Sequence, residues 1–155
     1  MPNLKTTQTK SATIVSVTVN AVGVDPMGFL KYTQSEKSGL WTKGDGWIAH
    51  SGCLQTLSYE SSDSSGDRFS EIRSQAQNLL DSSDSSSRPI RFYGGFSFGP
   101  DHVPEGVWKG FPAGLFHLPE FELEGGSRQS ARLKGHAIVR HDSIDLEQVR
   151  EELFE

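Results

Sequence analysis

The sequence predicts an α+β fold, a mainly antiparallel sheet with a few flanking helices, and three observations carry that expectation. Strand-like segments follow one another at hairpin-length connections, one amphipathic helical stretch interrupts them, and a second closes the chain. Runs of strands broken by isolated helices, in place of strict strand–helix alternation, mark this class. The chain has no internal repeat, and its 155 residues fit one domain.

The elements follow in order. Residues 1–11 are polar and expected to be disordered. Ala12–Val22 is rich in β-branched residues and alternates, which reads as a strand. Pro26 and Gly28 punctuate a turn, and Phe29–Tyr32 reads as a short second strand. Trp41 and Thr42 form a brief strand ending at the tight turn Lys43-Gly44-Asp45-Gly46. Trp47–Tyr59 then reads as a single strand, with Gly52 at a bulge or a close approach. Phe69, Ile72, Ala76, Leu79 and Leu80 recur at helical spacing, so Arg68–Leu80 is a helix with Asp67 as its N-cap. Serine-rich segments on either side, Ser61–Asp67 and Asp81–Ser87, read as solvated loops.

Ile90–Phe98 is the next strand, followed by a Pro/Gly loop. Leu115–Leu118 opens another strand, and Phe121–Leu123 and Ala131–Arg140 flank Glu124-Gly125-Gly126-Ser127 as a hairpin. Leu133, Ala137 and Val139 share one face of the last strand; Arg132, Lys134 and His136 share the other. Asp142 or Ser143 caps a closing helix over residues 142–155, with Leu146, Val149 and Leu153 on its apolar stripe.

A net charge of −5, with Lys and Arg dispersed, excludes nucleic acid and anionic membranes as natural partners. The single cysteine, Cys53, excludes an internal disulfide and any multi-cysteine metal centre. No apolar run approaches the ~20 residues of a membrane helix, and the N-terminus lacks a signal-peptide core, so a cytoplasmic protein is expected.

Arg91–Pro119 concentrates aromatic residues, paired glycines and prolines. Gly94 and Gly95 interrupt a strand of Phe92, Tyr93, Phe96 and Phe98, which fits a packing notch beside bulky rings better than a backbone-amide site for a carboxylate. Trp108, Phe111 and Phe116 are expected to anchor the core.

This block resembles the N-terminal portion of isochorismate synthases. The shared features are Phe92-Tyr93-Gly94-Gly95-Phe96-Ser97-Phe98, a loop, Trp108, Phe111-Pro112 and Phe116-His117-Leu118-Pro119. Gly46–Gly52 and the helix Arg68–Leu80 are similar to elements of that family in the same order. Gly99 departs from it, where relatives often carry an acidic residue, as does Phe29–Thr33, where an aromatic–Trp pair is usual. The resemblance implies an isomerase family that converts chorismate to isochorismate with Mg2+ in menaquinone or siderophore biosynthesis. It also implies that the catalytic lysine and glutamates lie in a C-terminal portion. On that basis residues 12–141 form an α+β scaffold, residues 142–155 lead toward a missing catalytic domain or equivalent chain, and the chain alone holds no catalytic, cofactor-binding or metal residue and binds no Mg2+. Lys109 and Lys134 are not assigned as the base.

Other constellations are weaker. Five histidines (His50, His102, His117, His136, His141) lack H-x-x-x-H or H-E-x-x-H spacing, and His136 with His141 is the best pair. Strand alternation puts His50 opposite Ser51 and Cys53. Glu120, Glu122 and Glu124 alternate onto one strand face, which is expected to meet water. The two other functional readings are a stand-alone module binding a small anion and a subunit docking onto a separate catalytic chain; the second requires a complementary apolar surface on that chain and a large shared interface.

Overall fold

The computed structural model describes residues 12–60, 67–83, 89–99, 104–127, 129–139 and 151. The expectations for the N-terminus, for most of both serine-rich segments and for the closing helix lie outside these residues, apart from Glu151, which is helical and exposed.

Among the described residues eight strands and two helices of more than one turn follow the order β1 (Thr13–Asn20), α1 (Pro26–Thr33), β2 (Ser38–Lys43), β3 (Gly46–Ser51), β4 (Gln55–Tyr59), α2 (Arg68–Asp81), β5 (Tyr93–Phe96), β6 (Gly114–Leu118), β7 (Phe121–Gly126) and β8 (Gln129–Val139). A five-stranded sheet is ordered β1-β8-β7-β3-β2 and a three-stranded sheet β4-β6-β5. Every pairing is antiparallel. The α+β expectation holds.

Two elements differ from the sequence reading. Phe29–Tyr32 is part of α1 and not a strand. Asp25 accepts hydrogen bonds from the Met27 and Gly28 amides at 3.0 and 2.9 Å, and Pro26 occupies the first turn. Gln34 then ends the helix in the left-handed region at φ 47°. Trp47–Tyr59 is not one strand either: Gly52, at φ 81°, turns the chain from one sheet into the other. A Cβ at Gly52 would lie 2.7 Å from Glu120 Cβ, so the close approach is real. Leu54 N donates to Leu118 O at 2.9 Å, and Glu120 N donates to Ser51 O at 3.1 Å. The β3–β4 and β6–β7 connections therefore bend side by side, and this shared corner joins the two sheets.

The helices cover opposite outer faces. α1 packs on β3, β2 and β7, where Ala21, Phe29, Ala49 and Leu123 form a core ringed by Leu30, Trp47, Phe121, Ala131 and Leu133. The second helix packs on β4 and β6 and reaches β1. Asp67 caps it as expected, accepting from the Phe69 and Ser70 amides. Its Ile72 is buried, and Phe69 meets Phe96 at 4.5 Å between ring centroids.

Candidate functional site

The inner faces of the two sheets enclose a polar seam. Register fixes who faces it: across the larger sheet His50 pairs with Glu122, Glu122 with Lys134, and Ser16 with His136. Across the smaller sheet Thr56, His117 and Tyr93 stand in one row. Directly opposed residues share a face, so these two rows meet inside the bend.

Glu122 is the centre of the seam and only 1% exposed. It accepts a hydrogen bond from the Tyr93 hydroxyl. His136 Nε2 faces its other oxygen at 3.4 Å, and Arg91 approaches that oxygen at 3.6 Å. Behind His136, Ser16 Oγ and Nδ1 are hydrogen-bonded at 2.6 Å. The tautomer with its proton on Nε2 satisfies both contacts. Arg91 also reaches Glu124 at 3.0 Å, and Glu124 takes a second arginine, Arg132, at 2.6 Å.

Burial alone would push the Glu122 carboxyl up, but hydrogen bonds from His136 and Tyr93, together with the nearby His136 and Arg91, hold it below its ordinary range. Burial drives Tyr93 the other way, well above the usual phenol, and the adjacent Glu122 adds to this. His50 stacks on Tyr93 at 3.9 Å between centroids. Its burial, aided by the neighbouring His117, lowers it to about 4. His117 is lowered by burial and by Lys37, against a hydrogen bond with the Tyr93 backbone. His50 Nδ1 and His117 Nε2 are buried without a hydrogen-bond partner among the described residues.

Ser16, His136 and Glu122 thus form a serine–histidine–carboxylate chain, yet all three are buried. A nucleophile must meet its substrate, and a serine buried to this degree does not. Their chemistry is cohesive: a tyrosine on one sheet, and an arginine two residues before it, grip a carboxylate on the other.

The acidic stripe expected to face water does the reverse. Glu122 and Glu124 share a face as alternation requires, but that face looks onto the second sheet. Glu120 lies in the bend before the strand. His136 turns to Glu122 and Ser16, while His141 lies outside the described residues. Lys134 donates to the Pro89 carbonyl at 2.7 Å, and Lys109 is exposed. Cys53 is half-buried, 3.6 Å from Lys37 Nζ. Sequence reasoning missed the seam because alternation tells which residues share a face, never what covers it.

Beyond His117 the same face of the smaller sheet opens into a groove of about 620 Å3. Gly95 and Leu115 form its floor, and Phe98, Trp108 and Phe111 stand over it. Trp108, expected in the core, is 63% exposed because it rides on a short 3-10 turn, Gly106–Trp108, outside both sheets. Phe98 is exposed as well.

A family model described as chorismate binding enzyme matches residues 2–155. The chain belongs to that family. No curated protein matches it. The resemblance of the 91–119 block therefore points to the right family, and that block builds β5, the 3-10 turn and β6 of this chorismate binding enzyme fold. Among the described residues no helix is long and apolar enough to cross a membrane.

The Mg2+ implied by the resemblance does not fit the carboxylates of the seam. Among the described residues no three His, Cys, Asp or Glu side chains are grouped to hold a metal. Glu122 and Glu124 are committed to Arg91, Arg132, Tyr93 and His136. A hard cation needs several free oxygen ligands.

Proposed function

We propose that this chain is the N-terminal scaffold of an isochorismate synthase, an isomerase of the cytoplasm that converts chorismate to isochorismate for menaquinone or siderophore biosynthesis. The observation that carries this reading is the 91–119 block within a chain of the chorismate binding enzyme family. Its aromatic, Gly-Gly and Leu-Pro positions fall on β5, the 3-10 turn and β6, so the motif that resembles isochorismate synthases builds one wall of the fold.

In this reading Mg2+, the water-activating lysine and the acid glutamate belong to the C-terminal portion of the family, and the polar seam holds the sheets rigid beneath it. The commitment of Glu122 and Glu124 to arginines supports a structural role for this portion. The test is to incubate the natural gene product that carries these residues with chorismate and Mg2+ and to separate the products by chromatography. Isochorismate is the expected product. An aminated or aromatised product, or unchanged chorismate, would reject the assignment within the family.

A further inference from the structure

One rung of the seam is bonded and the next is not. Tyr93 on β5 meets Glu122 on β7 through a hydrogen bond. One strand further along each sheet stand His117 on β6, which pairs with Tyr93, and His50 on β3, which pairs with Glu122. Their rings lie 5.2 Å apart between centroids, tilted by 54°. His50 Nδ1 and His117 Nε2 are nevertheless both buried, and neither has a hydrogen-bond partner among the described residues.

Both rings are fixed in place. His50 is 4% exposed. It stacks on Tyr93 at 3.9 Å between centroids, and its Nε2 lies against β2, where a Cβ on Gly39 would come within 2.6 Å. His117 is held by a hydrogen bond with the Tyr93 backbone. Since Nε2 is without a partner, that bond falls to Nδ1, and a carbonyl acceptor puts the ring proton there. His117 Nε2 is therefore a bare acceptor.

Burial keeps both imidazoles neutral at pH 7. The nearby Lys37 acts in the same direction on His117, and Glu122 only partly offsets the effect on His50. A neutral imidazole carries one donor and one acceptor. The pair could thus join directly if His50 held its proton on Nδ1, but the rings stand without that bond. Buried nitrogens left bare cost stability, and ordered water satisfies such groups where protein partners do not.

We propose that one internal water molecule binds between His50 and His117, donating one hydrogen to each orphaned nitrogen and bridging the two sheets beside the Tyr93–Glu122 bond. A water supplies the two donors that two acceptors require. A metal cation fits less well: among the described residues no third His, Cys, Asp or Glu joins the pair. The Lys37 charge that disfavours a proton on His117 disfavours a cation there too. A small anion would face two lone pairs. The site is independent of which reaction the family member catalyses.

The test uses the whole chain, labelled with 15N, at pH 7. Cross-relaxation between water and the Hε1 protons of both rings is expected, with the sign of a molecule bound for longer than the protein tumbles. Imidazole 15N spectra are expected to place the ring proton on Nδ1 of His117 and on Nε2 of His50. Oxygen-17 relaxation dispersion counts the long-lived waters. His50→Phe, His117→Phe and the double variant are each expected to lose the same single water. The first two measurements are made on the unaltered chain and decide the matter even if a variant fails to fold. A proton on His50 Nδ1 coupled to His117 Nε2 would show a direct bond between the rings and overturn the proposal. Absence of bound-water cross-relaxation at both rings, or an unchanged water count in folded variants, would overturn it as well.

Discussion

Tyr93 on the three-stranded sheet donates its hydroxyl hydrogen bond to the Glu122 carboxylate on the five-stranded sheet. The bond spans the seam, so it reports directly on how the sheets are held. Tyr93→Phe removes a donor from a carboxylate that stays buried, and a loss of about 1–3 kcal/mol in unfolding free energy is expected by urea denaturation. Glu122→Gln is expected to cost at least as much, since Arg91 also loses one of its two carboxylates, keeping Glu124. The two losses combine sub-additively, with a coupling above about 0.5 kcal/mol in a double-mutant cycle. Simple additivity would mean the bond contributes nothing.

Acid acts on the same seam through His50. Its folded pKa lies near 4, below the ordinary 6.5, so protons bind the unfolded chain first. Stability is therefore complete above about pH 6.5 and falls as pH drops toward 4, by at most about 1.4 kcal/mol per pH unit for one such group. His117, also lowered, acts in the same direction. Glu122, held below its ordinary value of 4.5, adds a second loss as pH falls further through its folded value. Thermal melts across this range are expected to show the decline. His50→Phe, which keeps a ring against Tyr93, is expected to flatten it between pH 6.5 and 4.

The paired glycines of β5 have opposite tolerances. A Cβ at Gly94 would sit 2.0 Å from the Leu115 carbonyl oxygen and 2.6 Å from Phe116 Cα, both backbone atoms that cannot move aside. Gly94→Ala is expected to cost about 3 kcal/mol or more. Gly95→Ala, with open space around it, is expected to be neutral or slightly stabilising. Equal effects in denaturation would contradict this account of the Gly-Gly pair.

At α1 the caps are separable. Asp25→Ala removes the acceptor for two amides and is expected to cost about 1 kcal/mol. Gln34→Gly relieves a left-handed residue and is expected to stabilise by about 1 kcal/mol. Both changes can be read from the melting temperature.

Local signals were legible where they act locally. The helix from Arg68 was fixed by apolar spacing and by Asp67, and the turn around Gly44 by its glycines. The Asp25-Pro26 pair carries the signal for α1 too, but Pro26 and Gly28 fit a turn equally well, and the four residues Phe29–Tyr32 are too short a run to show a helical period. Gly52 stands out in the sequence, yet a bulge and a passage between sheets begin with the same residue. The seam was not legible, because the burial of Glu122 depends on Arg91 and Tyr93, some thirty positions away in sequence. Trp108 misled for the opposite reason: a large ring suggests a core, and only tertiary structure shows it outside.

The corner at Gly52 and Glu120 has a consequence for how the molecule is assembled. Ser51 and Phe121 are paired neighbours on adjacent strands, and the whole smaller sheet with its helix is strung between them. The second layer is thus one excursion that leaves and returns through a single doorway. The larger sheet cannot zip β3 to β7 until that excursion has closed, a non-local step of the kind that slows folding. The entropic cost of closure grows only with the logarithm of loop length. Insertions or deletions in the excursion's outer turns therefore leave the doorway, and the ladder beside it, almost undisturbed.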